Sequence, residues 1–168
     1  IEVKVHPMLI PNNHPLANVN DAFNAVFVHG KAMDDAMFMG RGAGQMPTAS
    51  AVVGDIIDVC RNIVHDSCGR IGCCCYKNLE VKDITDTKSK FFLRLEVADK
   101  QGVLANIASV LGNSGVSIAQ VVQKSGKDGV AELVIITAEV LEKNFNDAMA
   151  VFKGLSAVKN IAGVIRVY

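Results

Sequence analysis

Net charge is the first thing this sequence lacks: Lys plus Arg and Asp plus Glu number 17 each across 168 residues. A chain with no net charge gathers neither phosphate backbone nor anionic lipid through its overall field, so nucleic acid and membrane surfaces are not expected partners. Long apolar runs are missing too. None approaches the roughly 20 residues a spanning helix needs, and no charged-then-apolar leader precedes a cleavage site. There is no initiator Met, and the chain starts on IEVKV, whose alternation reads as the inside of a strand, so the sequence is expected to be part of a longer protein. Paired metal ligands are also scarce. Cys73, Cys74 and Cys75 are consecutive in GRIGCCCYKN, but Cys60 and Cys68 give no second pair at zinc-site spacing, so no metal is expected. Free thiols in a reducing cytoplasm are the expected state. His6, His14, His29 and His65 show no i, i+4 spacing and read as ordinary strand, turn or surface residues.

What is present is a composition half hydrophobic, which is that of a globular protein, divided near its middle. VKVHPMLIP is a short extended segment ended by Pro7 and Pro11, and NNHPLANVNDAF carries turn formers and a short helical piece. Residues 24–29 and 36–39 are strand candidates joined by a hairpin turn over 30–35. GRGAGQMPTASAVV then places glycines at 40, 42 and 44 ahead of a helix whose apolar face holds Ala49, Val52, Val53, Ile56, Ile57 and Cys60. Pro47 falls near the first turn, where its missing N–H costs nothing. A glycine turn at a helix N-terminus lets an anionic or polar ligand approach unpaired N–H groups, and it equally serves tight strand-to-helix packing. The spacing is not the dinucleotide fingerprint, because Pro47 stands where the third glycine belongs; no Lys makes it a Walker loop.

The stretches VKVHPMLIPNNHPLANVNDAFNAVFV and MFMGRGAGQMPTASAVVGDIIDVCR resemble the C-terminal part of the catalytic domain of homoserine dehydrogenase, with HPLA, NAV and the glycine-rich PTASAVV segment in that order. The resemblance implies a nicotinamide-dependent oxidoreductase that interconverts homoserine and aspartate semialdehyde using NAD or NADP. It also implies that Gly42, Ala43 and Gly44 offer backbone to the cofactor or shape the active-site floor. The family's dinucleotide-binding domain, catalytic lysine and substrate carboxylates lie upstream of the matching segment. No catalytic residue is therefore expected in this chain, nor a cofactor bound to it alone.

Residues 62–90 lose all period and read as a linker with a candidate strand over 76–82. FFLRLEVAD then alternates Phe91, Leu93, Leu95 and Val97 against Arg94 and Glu96. Gly102 opens a helix carried by Val103, Leu104, Ile107, Ala108 and Leu111, and GNSG stops it. Two β-rich runs, 116–125 and 130–138, flank the turn GKDG; a second helix follows along Leu141, Phe145, Ala148, Phe152 and Leu155, and a last strand over 164–168. The order βαββαβ predicts a ferredoxin-like sandwich, and the fold class is α+β: a partial α/β segment followed by this sandwich. The expected domains are a catalytic segment over 1–66, a linker over 67–88 and a regulatory domain over 89–168.

ADKQGVLANIASVLGNSGVSI makes the second half resemble the ACT regulatory domain, which implies binding of a small amino acid and pairing with a second copy. Threonine is the leading effector, as end product of the pathway the resemblance implies, and a homo-oligomer, a dimer, is the expected assembly. The expected effector site is the loop of Asp99, Gly102, Val103 and Leu104 facing Asn113 and Ser117 of a neighbouring copy. Asp99 would receive the ammonium, the helix N-terminus the carboxylate, and Asn113 or Ser117 the remaining polar atoms. The plainer alternative is that Asp99 caps the helix and Gly102 only turns the chain. At the level of the whole chain, the alternative to an enzyme is an amino-acid sensor whose front half is a dimerisation scaffold.

Overall fold

The computed structural model describes residues 1–69, 72, 76–124, 126 and 128–168. The run Cys73, Cys74, Cys75 lies outside the described residues. The chain folds as two compact units, one of Ile10–Asn78 and the other of Ile1–Leu9 with Leu79–Tyr168.

In the first unit a 3-10 turn, Pro15–Asn18, is capped by His14, whose Nδ1 accepts from the Leu16 N–H at 3.2 Å. The His14 ring is buried beside Phe27, with centroids 4.9 Å apart. Strands β2 (Phe23–Gly30) and β3 (Asp34–Arg41) pair antiparallel from Phe23↔Arg41 to Gly30↔Asp34, a hairpin over the two strand candidates with a shorter turn than expected. Helix α1 (Gln45–Val64) follows the glycine turn at once, with Gly44 as N-cap. Its face of Val53, Ile56, Ile57 and Val64 forms as the helical period requires and stands exposed.

The second unit is the expected sandwich. Its strands are β1 (Met8–Leu9), β4 (Lys88–Ala98), β5 (Ile118–Lys124), β6 (Val130–Thr137), β7 (Val140–Leu141) and β8 (Val158–Val167), with helices α2 (Val103–Asn113) and α3 (Glu142–Gly154). The sheet order is β1-β8-β4-β6-β5, with β7 paired to the start of β4. Without β1 and β7 this is the antiparallel order a βαββαβ chain makes when both helices lie on one face. Alternate residues of β4, Phe91, Leu93, Leu95 and Val97, are buried with Ile107 and Leu111 of α2 and Phe145, Ala148 and Phe152 of α3. Phe91 and Phe145 stack with ring centroids 3.7 Å apart. Side chains of this size contribute about 1.5–3 kcal/mol each on full burial, so this layer carries the stability of the unit.

Several expectations are corrected. IEVKV forms no strand, and its apparent inside is inverted: Val5 is 100% exposed, while the Lys4 side chain is only 11% exposed. Residues 76–82 form no strand either: the stretch bonds to Ile1 through Glu80 and Lys82, but Leu79 and Val81 stay exposed. The last strand begins at Val158 instead of 164, since two irregularities in its pairing with β4 break the alternation that would mark it.

The inversion at Lys4 has an electrostatic cause. Glu142, 2% exposed at the start of α3, receives two bonds from Arg166, Nε to Oε1 at 2.6 Å and a terminal nitrogen to Oε2 at 2.8 Å. The Ser89 hydroxyl donates to Oε1 at 2.9 Å. Lys4 Nζ lies 3.8 Å from the same oxygen and donates to Ser89 Oγ at 3.0 Å and to the Lys88 carbonyl at 3.2 Å. Burial pushes the Glu142 carboxyl up, but the bonds from Arg166 and Ser89 and the charges of Arg166 and Lys4 outweigh it and hold it below the ordinary glutamate value.

Candidate functional site

Two places gather the residues the sequence singles out. At the glycine turn, β3 ends at Arg41, Gly42 donates to the Ala22 carbonyl at 3.0 Å, and Gly44 takes φ 126°, a conformation that favours glycine. Thr48 donates the first intrahelical bond, to Gly44, and Pro47 has no N–H, so Gln45 and Met46 hold the first-turn donors. Gly42, Ala43 and Gly44 are all exposed. A Cβ at Gly42 would run into the Asn24 side chain, so that glycine also has a packing reason. Asn24 is the first residue of the NAV motif, and β2 places it opposite Gly40 in the register.

The second place is a cleft of about 320 Å³ where β4 runs out into α2, within the size range of small-ligand sites. Asp99, Lys100, Gly102, Val103 and Leu104 line one side, and Gln123 of β5 with Leu133 of β6 the other. The loop is fixed by backbone bonds from Asp99 to Gly129 at 2.9 Å and from Lys100 to Ala98 at 2.9 Å. Gly102, at φ 83°, is the N-cap of α2 and no side chain caps it, so Asp99 does not serve as the cap. Asn106 donates the first intrahelical bond, to Gly102, which leaves the N–H groups of Leu104 and Ala105 ahead of it at the helix terminus. The lining therefore offers one carboxylate, one ammonium and a helix N-terminus within one opening.

Within one chain the expected effector residues are only partly assembled. Asp99, Gly102, Val103 and Leu104 meet in the cleft. Asn113 and Ser117 do not line it: Asn113 ends α2, an 11-residue helix about 16 Å long, and Ser117 lies beyond it. Gln123 and Leu133 are the additions sequence reading missed. They are register partners on β5 and β6, so finding them requires the strand order as well as the strands. Among the described residues no group of three or more His, Cys, Asp or Glu side chains could hold a metal ion, and no helix is long and apolar enough to cross a membrane.

Comparison with known proteins divides the chain the same way. The family model for homoserine dehydrogenase matches residues 1–57, and the ACT domain model matches residues 85–166. A homoserine dehydrogenase of Corynebacterium glutamicum is 41% identical over 167 residues, covering 99% of this chain and 37% of that protein. One from Pseudomonas aeruginosa is 36% identical over 173 residues, with 99% and 40% covered. The crystal structure of a homoserine dehydrogenase from Thiobacillus denitrificans superposes with a TM-score of 0.86 at 36% identity, over 99% of this chain and 39% of that one. The chain thus spans about two fifths of the length of the relatives it matches. It corresponds to the C-terminal part of homoserine dehydrogenases, the end of the catalytic domain followed by an ACT domain.

Proposed function

We propose that this chain is the regulatory end of an NAD- or NADP-dependent oxidoreductase that interconverts L-homoserine and L-aspartate 4-semialdehyde in the biosynthesis of threonine, methionine and isoleucine, and that its ACT half binds a small L-amino acid that controls the enzyme. The observation that carries the regulatory reading is the cleft at 99–104. An α-amino acid is a zwitterion, and the cleft offers Asp99 for its ammonium, Lys100 and the α2 terminus for its carboxylate, and Gln123 for a polar side chain such as threonine's. Asn113 and Ser117 would complete the site from a second copy. The edge strand β5, with Val121 44% and Val122 51% exposed, supports such a homodimer.

On the catalytic side, the exposed backbone of Gly42, Ala43 and Gly44 and the first-turn donors of α1 fit one end of a nicotinamide cofactor. The bound nicotinamide would supply hydride exchange, and this chain's part is to present backbone to it. The rest of the cofactor surface lies in sequence this chain does not contain, so the purified chain is expected to show no substrate-dependent reduction of NADP. Measurable turnover would overturn that assignment of roles.

Binding in the cleft is tested by melting. A ligand that binds only the folded state, at a hundred times its Kd, adds about 2.7 kcal/mol of stability, so threonine at saturating concentration should raise the melting temperature clearly. Gly102→Val should abolish the rise, because φ 83° strains a β-branched residue and the loop must rearrange. A rise that survives Gly102→Val would place the ligand elsewhere.

A further inference from the structure

The homoserine dehydrogenase model matches from residue 1, yet Ile1–Leu9 folds with the ACT sheet and not with the segment that carries the glycine turn. The segment leading into the catalytic half is thus built into the regulatory domain. Its ladder is short: Met8↔Arg166 and Leu9↔Val167 are parallel partners, and Tyr168 donates to the Leu9 carbonyl at 2.9 Å. Two register pairs hold a strand weakly. The Ile1 carbonyl also accepts from the Lys82 N–H at 2.9 Å, and the side-chain attachment is Lys4, which reaches into the cluster formed by Ser89 of β4, Glu142 of α3 and Arg166 of β8.

We propose that residues 1–9 are a strap, pinned by Lys4 to Ser89, the Lys88 carbonyl and Glu142, through which the ACT domain positions the catalytic half. A lysine is a costly choice for mere filling, because taking its ammonium out of water must be offset by several well-placed acceptors. It does what an apolar residue would not: it fixes which part of the segment sits at the cluster, and so where the chain leaves the sheet. The chain passes into the other unit between Leu9 and Ile10, and at once enters the turn closed by the bond from His14 to Pro11 at 2.9 Å. On the ACT side, β4 carries Ser89 of the pin near its start and Val97 and Ala98 of the effector cleft at its end. Pin and cleft therefore share one continuous strand.

Lys4 is here a positioning residue, and the inference rests on the reading of the glycine-turn segment as part of the catalytic domain. The test uses the full-length enzyme with Lys4→Met, which keeps the length without the charge, and Lys4→Arg, which keeps the charge. In Lys4→Met, amide exchange at Leu9 and Tyr168 is expected to quicken about tenfold while that of Leu93, Leu95 and Leu133 stays unchanged. The same variant should lose about threefold or more in kcat with little change in KM, and Lys4→Arg should restore both readouts. Unchanged exchange at Leu9 and Tyr168 would remove the pin. Faster exchange with wild-type kcat would reduce the strap to a fastener and overturn its positioning role. A wild-type enzyme that does not oxidise homoserine would instead refute the function proposed above, and with it the catalytic role of the strap.

Discussion

Glu142→Ala should lower the unfolding free energy of the ACT unit by about 3–5 kcal/mol, the usual cost of removing one partner from a buried ion pair. Glu142 is 2% exposed, and its removal strands the Arg166 guanidinium, 21% exposed, while the Lys4 ammonium keeps Glu2 at 2.7 Å. The pH dependence follows from the direction of the carboxyl's shift. Its folded-state value lies below the ordinary one of 4.5, so its contribution is complete above that value and is lost as pH falls through the lower, folded-state value. The wild type should therefore lose stability below about pH 4.5 more steeply than the variant, and the gap between them should narrow in acid. Urea unfolding of both proteins at neutral and acid pH measures this. A gap that stays constant with pH would mean that lost packing, and not the charge cluster, accounts for the effect.

Gly42→Val should cost the full-length enzyme on the order of 100-fold in activity, the scale of a small misplacement of catalytic groups. The structure gives two reasons for a glycine there, and they predict different rescues. A Cβ at this position meets the Asn24 side chain, an overpacking worth about 1–3 kcal/mol of stability. If packing is the whole reason, adding Asn24→Ala clears the space and restores both folding and activity. If the backbone must also approach the cofactor, the double variant regains its melting temperature but not its turnover. We expect the second outcome, because Gly42, Ala43 and Gly44 are all exposed beside the α1 terminus. Recovery of both would assign the turn to packing alone.

Legibility in the sequence followed how local each signal was. Strand β4 was readable because Phe91, Leu93, Leu95 and Val97 alternate without interruption and all face the core. The α2 loop was readable because Asp99, Gly102, Val103 and Leu104 come from six consecutive residues. Strand β8 was read only over its end, since two register shifts against β4 hide the rest. Strand β1 falls inside the segment read as extended, but its pairing had no signal: two residues between Pro7 and Pro11 show no period, and their partner is more than 150 positions away. The alternation of IEVKV misled because a period-2 pattern names the apolar face as the inside. Here the four-residue ion cluster outweighs that preference and draws Lys4 in, leaving Val5 in solvent. Gln123 and Leu133 enter the cleft from across the sheet, a placement fixed by tertiary strand order that no local pattern encodes.

Whether the ACT half is an amino-acid receptor is decided by calorimetric titration of the common L-amino acids against this chain. Saturable heat is expected for a small amino acid, threonine first, that disappears in Gly102→Val and weakens in Asp99→Ala. No heat from any of them at millimolar concentration would contradict the receptor role, and would leave the ACT domain a role in assembly alone.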